Sequence, residues 1–265
     1  ENNEVVYELL ADMGWSSDSI DLDDWMKIYC EARYGGYPDA MEEAWKLFRK
    51  TAYSSLYSYP RFTWQTVIPD QRRISKIDLS DDYLQAIRLY ASCADELKNS
   101  ELYRNDLIEF VSYYVAAKAE IFYKQALKDD SENRVLAAQR NLQQTVDLLM
   151  DVDRLLASHP LYRLEEWVEL ARNSGTTLQE KDAYEANAKR LITSWGGIQE
   201  DYAARFWSGL IKDYYIPRIQ LYFTKDRNKI REWEEQWITS PWSNSTTPFD
   251  DPVKAALNLI EKTNK

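Results

Sequence analysis

The sequence predicts an all-α fold, a multi-helix bundle of roughly ten helices with two long loops. Three observations carry this. Apolar residues recur at spacings of three and four along most of the chain, the repeat of one helix face. Only 7 Gly and 8 Pro occur in 265 residues, too few turn-formers for many short strands. Helix start and stop signals bracket the periodic segments. Hydrophobic residues are 45% and charged residues 29%, a balance that folds rather than staying disordered. Folding a chain of this length hides about 70% of its unfolded surface, so a core forms without a metal or disulfide staple.

The elements follow in order. Asp21 can cap a helix through Trp25, Ile28 and Tyr29 to Tyr34, stopped by Gly35-Gly36. Pro38 suits the first turn of the next, with Met41, Ala44, Trp45, Phe48 and Ala52 on one side. Ser58 to Leu79 resists the pattern. It holds Pro60, Arg61, Trp64, Pro69, Arg72 and Arg73, and a loop this long is usually functional or wraps a surface. Ser80 caps Tyr83 to Leu97. Tyr103, Leu107, Phe110, Tyr114, Ala117 and Ile121 then share one face of a long helix. After the polar break Lys128-Asp129-Asp130-Ser131, the series Val135, Ala138, Leu142, Val146, Leu149, Val152, Leu156 shares another. Two long amphipathic helices with a tight connection predict an antiparallel hairpin. Thr177 and Glu180 form a capping box ahead of Tyr184 to Trp195. Tyr202 to Tyr215 and Ile219 to Trp237 predict two more helices, with Pro217 breaking or kinking the path between them. Thr239 to Asp251, with Pro241, Trp242 and Pro248, is the second long loop, and Asp251-Pro252 begins a short last helix. No fixed-period repeat and no low-complexity linker divides the chain, so a single domain over 1–265 is expected.

Charge and composition narrow the function. A net charge of −11 repels nucleic-acid phosphates and anionic lipid, so neither nucleic acid nor membrane is an expected partner. No apolar stretch approaches the ~20 residues that span a bilayer. No signal peptide is visible at Glu1. Cys30 and Cys93 lie among apolar neighbours and read as buried free thiols. A lone histidine, His159, cannot build a Cys/His zinc site or a two-histidine iron site; beside Pro160 it reads as a helix-terminal residue. No phosphate-binding glycine loop occurs, and no nucleophile elbow. The pairs Asp23-Asp24, Asp81-Asp82, Asp129-Asp130 and Asp250-Asp251 lack a further acidic residue one turn on, and three of the four sit at helix starts. Glu165-Glu166 and Glu234-Glu235 read as solvated faces. No metal site and no cofactor are expected.

Aromatics are the unusual feature: 19 Tyr and 10 Trp against 7 Phe. Most belong in the core between long helices, but Tyr and Trp also suit interfaces and sugar pockets. Two rings lie off the periodic positions. One is Trp64. The other is Trp195, in Ser194-Trp195-Gly196-Gly197, where the glycines permit close approach of backbone or ligand. Core packing and a binding role both remain open for Trp195.

The ordered set Asn3-Glu4-Val5-Val6-Tyr7, Gly14-Trp15, Arg33-Tyr34-Gly35, Ala44-Trp45, Trp195-Gly196, Asp201-Tyr202-Ala203, Gly209-Leu210, Tyr214-Tyr215 and Pro217-Arg218 resembles the C-terminal region of the α-N-acetylglucosaminidases, glycoside hydrolase family 89. The resemblance runs nearly end to end, although Arg61-Phe62-Thr63-Trp64 is only loosely like the family. It implies the all-helical C-terminal domain of a retaining exo-α-N-acetylglucosaminidase. Its partner would be a (β/α)8 catalytic barrel of the same polypeptide, with the nucleophile in a Pro-Glu-Gly segment before Glu1. Residues 1–14 would be the helix continuing from that barrel. The parent would be an enzyme and this chain alone inactive. Trp195, Asp201, Tyr202, Trp64 and Arg61 are the residues expected to wall the pocket. The implied substrate is a glycan ending in α-linked N-acetylglucosamine, and the acidic chain favours neutral, mucin-type glycans over sulfated ones. The implied location is secreted or periplasmic in a bacterium, lysosomal in an animal. The competing expectation is a free-standing helical module that binds a partner protein through aromatic grooves.

Overall fold

The structure is a computed structural model and describes residues 4–54, 62–66, 79–195 and 201–264. Among them are eleven α-helices and no strand: α1 (Glu4–Trp15), α2 (Leu22–Tyr34), α3 (Asp39–Lys50), α4 (Asp81–Ser92), α5 (Glu101–Ser131), α6 (Val135–Leu156), α7 (Leu164–Asn173), α8 (Leu178–Leu191), α9 (Ile216–Tyr222), α10 (Arg227–Thr239) and α11 (Pro252–Lys262). Side-chain caps start several of them. The Asp21 carboxylate accepts from the Asp23 and Asp24 amides, and Gly35 ends α2 at φ 81°. Ser80 caps α4, Asp251 caps α11, and Thr177 with Glu180 forms the reciprocal box at α8. Each cap satisfies donors that the helix itself cannot.

The chain divides into two compact units. The first comprises Glu1–Leu56, Asp78–Tyr114 and Asp251–Lys265. Its core is aromatic. Phe48 of α3 stacks on Phe110 of α5 at 4.5 Å, and Tyr90 of α4 stacks on Tyr103 at 4.9 Å. Trp45 meets Phe48 edge-on at 5.6 Å. Both cysteines are buried and free. Helix α1 is the exception to this packing. Only Val5 is buried, while Tyr7, Leu10 and Met13 face outward and Trp15 is 92% exposed.

The second unit comprises Tyr57–Ile77 and Val115–Asp250. It holds the rest of α5 together with α6 to α10. Here the sequence expectations need correction in six places. Ile121 and Val135 are half exposed. Helix α5 is buried on several sides at Leu107, Ile108, Val111, Val115 and Ala119, so its buried stripe turns to Tyr123 and Ala126 and leaves Ile121 out. Residues 164–173 form a helix that periodicity alone did not mark. The helix ahead of Trp195 stops at Leu191. The helix expected over 202–215 starts only at Leu210, because the buried Asp153 of α6 accepts the Gly209 and Lys212 amides at 2.8 and 3.1 Å and so fixes where it begins. From there a π turn over Ile211–Tyr215 runs directly into α9. Pro217 has no N–H to donate, and the wider i to i−5 turn places it within the first turn of α9 instead of breaking the path. Finally, the helix expected over 219–237 is two helices, because Lys225 adopts φ 63° between α9 and α10.

Gly209 has two reasons for its identity, backbone conformation and close neighbours. It sits at φ 82°, and a Cβ there would lie 3.2 Å from the Leu164 Cβ and 3.1 Å from the Trp242 ring. His159 is buried just after α6, and its Nδ1 accepts from the Leu161 amide. No helix of the described residues is long and apolar enough to cross a membrane. Among the described residues no cluster of His, Cys, Asp or Glu is placed to hold a metal ion.

Candidate functional site

The candidate site grows from the end of α8. The Trp195 amide donates back to the Arg190 carbonyl at 2.8 Å, and Trp195 takes φ 54°, a left-handed conformation that is uncommon for a bulky residue. Asp201 is left-handed too, at φ 61°. Its amide donates to the Thr193 carbonyl at 3.0 Å, so the two ends of the segment are tied together. Gly196 and Gly197 lie outside the described residues, as does Arg61. The described ends alone set the exposed feature. Half-buried Trp195 meets Tyr202 edge to face at 5.4 Å, and Tyr202 is 65% exposed. Tyr202 lies in a turn rather than on a following helix.

Beneath this pair lies a buried hub. Arg218 of α9 is almost wholly buried and bonds four groups. Its Nη1 reaches the Asp201 carboxylate at 2.7 Å, the Glu234 carboxylate at 3.0 Å and the Tyr214 hydroxyl at 3.1 Å. Its Nη2 donates to the Gln65 carbonyl at 2.6 Å. The Tyr214 hydroxyl donates to Glu234 at 2.6 Å, and the Tyr214 ring lies 4.7 Å from the guanidinium. Burial opposes the charge on Arg218, but Asp201, Tyr214 and Glu234 together outweigh it, so the guanidinium holds its proton even more firmly than usual. Burial also pushes the Tyr214 phenol well up, which keeps it a neutral donor. Both carboxylates are engaged by one cation, so they are positioning groups and not a free acid and base.

The hub also fastens the neighbourhood of Trp64. A 3₁₀ turn at Thr63–Gln65 is held by Arg218 on one side and by Glu120 on the other, whose carboxylate accepts the Thr63 amide at 3.0 Å and the Thr63 hydroxyl. Trp64 itself points inward. It is fully buried, stacked on Phe62 at 4.9 Å and edge-on to Tyr215 at 5.5 Å. The structure therefore brings Asp201, Trp195 and Tyr202 together, sets Trp64 in the core of the same unit, and joins both turns through Arg218.

Arg218 and Glu234 are the residues that site reasoning from sequence missed. Glu234 is buried, not solvated, which corrects the reading of Glu234-Glu235; only Glu235 is exposed, where it pairs with Arg190. One signal was present. Ile230, Glu234 and Ile238 repeat every fourth residue, so Glu234 sits inside an apolar stripe whose other members are buried.

The sequence family described as the α-N-acetylglucosaminidase (NAGLU) C-terminal domain matches residues 25–262. The chain belongs to that family. The α-N-acetylglucosaminidase of Homo sapiens is 31% identical over 293 residues, a match that takes in 98% of this chain and 38% of the human protein. Among solved structures, a family 89 glycoside hydrolase from Clostridium perfringens in complex with PUGNAc superposes with a TM-score of 0.84 at 24% identity, over 97% of this chain and 33% of that one. A second structure from that organism, in complex with its substrate GlcNAc-α-1,4-galactose, gives the same TM-score over 98% of this chain. At that identity the two structures speak to the fold. This member of the C-terminal domain family thus spans a third to two-fifths of the length of its relatives. The late segments that carried the resemblance, Asp201-Tyr202, Tyr214-Tyr215 and Pro217-Arg218, are the ones that meet around the guanidinium.

Proposed function

We propose that this chain is the helical part of a retaining exo-α-N-acetylglucosaminidase, docked on a (β/α)8 barrel and forming one wall of the pocket for terminal α-linked N-acetylglucosamine. The observation that carries the reading is the Trp195–Tyr202 pair, at 5.4 Å with Tyr202 exposed, beside a buried guanidinium that bonds Asp201. A flat indole suits the apolar C–H face of a pyranose, and its ring N–H and the neighbouring phenol can still hydrogen-bond hydroxyls. Retention needs two carboxylates about 5–5.5 Å apart, one as acid/base and one as nucleophile. Those belong to the barrel; the residues here bind and orient. Helix α1, with Tyr7, Leu10, Met13 and Trp15 unpacked, supports a docked neighbour. The net charge of −11 favours a neutral glycan, and the Clostridium perfringens relative with GlcNAc-α-1,4-galactose is in keeping with that.

The test is Trp195→Ala in the whole enzyme. A fall in kcat/KM of ten-fold or more is expected, about 1.4 kcal/mol of transition-state binding, with the melting temperature little changed. An unfolded variant whose surviving folded fraction keeps wild-type kinetics would make Trp195 a packing residue and end this reading. The chain alone should leave an aryl α-N-acetylglucosaminide intact.

A further inference from the structure

A cavity of about 300 Å³ opens between α10 and the segment after it, lined by Trp233, Gln236, Trp237, Trp242, Ser243 and Asn244 among others. That volume is at the small end of ligand sites, which run to about 1,000 Å³, so it suits one sugar ring rather than a nucleotide. Trp233 and Trp237 lie one turn apart on α10 and therefore share a face. Tyr214 backs both rings, at 5.6 and 4.8 Å. Trp242 is fixed twice: its ring N–H donates to Asp213 at 3.0 Å, and its amide donates to the buried Glu185 at 2.5 Å. The buried Lys189 completes the frame. It bonds Glu185, donates to the carbonyls of Trp237 and Ser240, and lies 5.1 Å from the Trp237 ring. Three indoles are thus held before any ligand arrives, which lowers the ordering cost of binding.

The lining has a definite chemistry. Two carboxamides, Gln236 and Asn244, and the Ser243 hydroxyl stand beside the indoles, and all three residues are exposed. No Asp, Glu, Lys, Arg or His is among the lining residues. Aromatic faces with amide and hydroxyl partners and no ionic group match a neutral pyranose, whose C–H face stacks while its hydroxyls both donate and accept. An anionic sugar would find no counter-charge on the lining, since Lys189 behind it is already paired with Glu185. We propose that this cavity is a binding site for a neutral pyranose residue. The inference rests on these lining residues alone, goes beyond the pocket-wall role of Trp195, and shares no residue with the Trp195–Tyr202 pair.

The experiment is a titration of the full 265-residue chain, made in bacteria so that Asn244 of the Asn244-Ser245-Thr246 sequon carries no glycan. The probes are methyl β-galactopyranoside and N-acetylglucosamine, with glucuronate as the charged control, and the readout is the indole N–H resonances. Saturable shifts of Trp233, Trp237 or Trp242 by a neutral sugar are expected, with a Kd on the order of 1 mM, and none from glucuronate. The double variant Gln236→Ala/Asn244→Ala, which alters only exposed side chains, should weaken binding at least ten-fold with an unchanged melting temperature. Absence of a saturable shift by either neutral sugar up to tens of millimolar overturns the proposal. So does a shift that survives both this double variant and Trp233→Ala. Shifts confined to Trp195 would overturn it too, while leaving the pocket-wall reading intact.

Discussion

Each of the two units sets an arginine against a buried acid and a phenol, and the two are used differently. In the first unit Arg33 of α2 grips Asp106 of α5 with Nε and Nη2 at 2.8 and 2.9 Å, and the Tyr34 hydroxyl donates to the same carboxylate at 2.6 Å. Every partner sits on a regular helix whose backbone is already satisfied. In the second unit Arg218 bonds two carboxylates, a phenol and a main-chain carbonyl, and two of those partners, Gln65 and Asp201, belong to turns. The first arrangement staples helices. The second supplies hydrogen bonds to chain that has no helix of its own to provide them, and it stabilises a left-handed Asp201 that would otherwise cost about 1–3 kcal/mol. Buried ion pairs are weak evidence for stability as such; what they do depends on whether they join elements or shape loops.

The largest expected effect separates the two arginines. Arg218→Met leaves Asp201 and Glu234 buried without a counter-charge and should lose about 3–5 kcal/mol. Arg33→Met should lose less, because the Arg33 side chain is 13% exposed and Tyr34 still donates to Asp106. Urea midpoints of the two variants decide this. Adding Asp201→Asn and Glu234→Gln to Arg218→Met should recover part of the loss, and equal losses for the two arginines would erase the distinction.

A second contrast lies within one unit. Trp64 and Trp195 both fall off the periodic pattern, yet Trp64→Ala should cost about 3–5 kcal/mol as a cavity in the core. Trp195→Ala should leave stability nearly unchanged and act on kinetics. Denaturation curves for both, alongside kcat/KM for Trp195→Ala, sharpen the difference between a ring that holds the anchor in place and a ring that the anchor holds out.

Local signals carried most of the fold. Asp21, Ser80, Thr177 and Asp251 announce helix starts because a cap needs only the next three residues. What failed depended on distant partners. The start at Leu210 is set by Asp153, 56 residues before Gly209, and the burial of Glu234 by Arg218, 16 residues away. Of the site, the nearness of Trp195 and Tyr202 needs only their short separation along the chain. The inward turn of Trp64 was not, because it depends on Glu120 taking the Thr63 amide across 57 residues. The hub was hidden for the same reason: no local pattern distinguishes Glu234 from Glu235 until the apolar stripe through Ile230 and Ile238 is weighed.

The smallest expected effect is a matter of pH, and here a capping carboxylate and a buried one differ in sign. In the box that starts α8, Glu180 accepts the Thr176 hydroxyl at 2.5 Å and the Thr176 and Thr177 amides at 2.8 and 3.1 Å. These bonds favour the ionised form and hold its pKa down to about 2, against 4.5 unperturbed. The contribution of Glu180 is complete above pH 4.5 and is lost as pH falls from there toward 2, since the unfolded chain protonates first. Glu180→Gln should therefore lower the melting temperature at neutral pH by an amount that shrinks through that window. Asp106 goes the other way. Burial raises its pKa above 3.8 despite Arg33, so its contribution is complete below 3.8 and is lost as pH rises through the raised value. The gap between wild type and Asp106→Asn should then widen on acidification while the Glu180→Gln gap closes. Thermal melts of both variants from pH 7 down to pH 3 read the two slopes directly, and slopes of the same sign would mean that capping and burial do not divide the carboxylates as described.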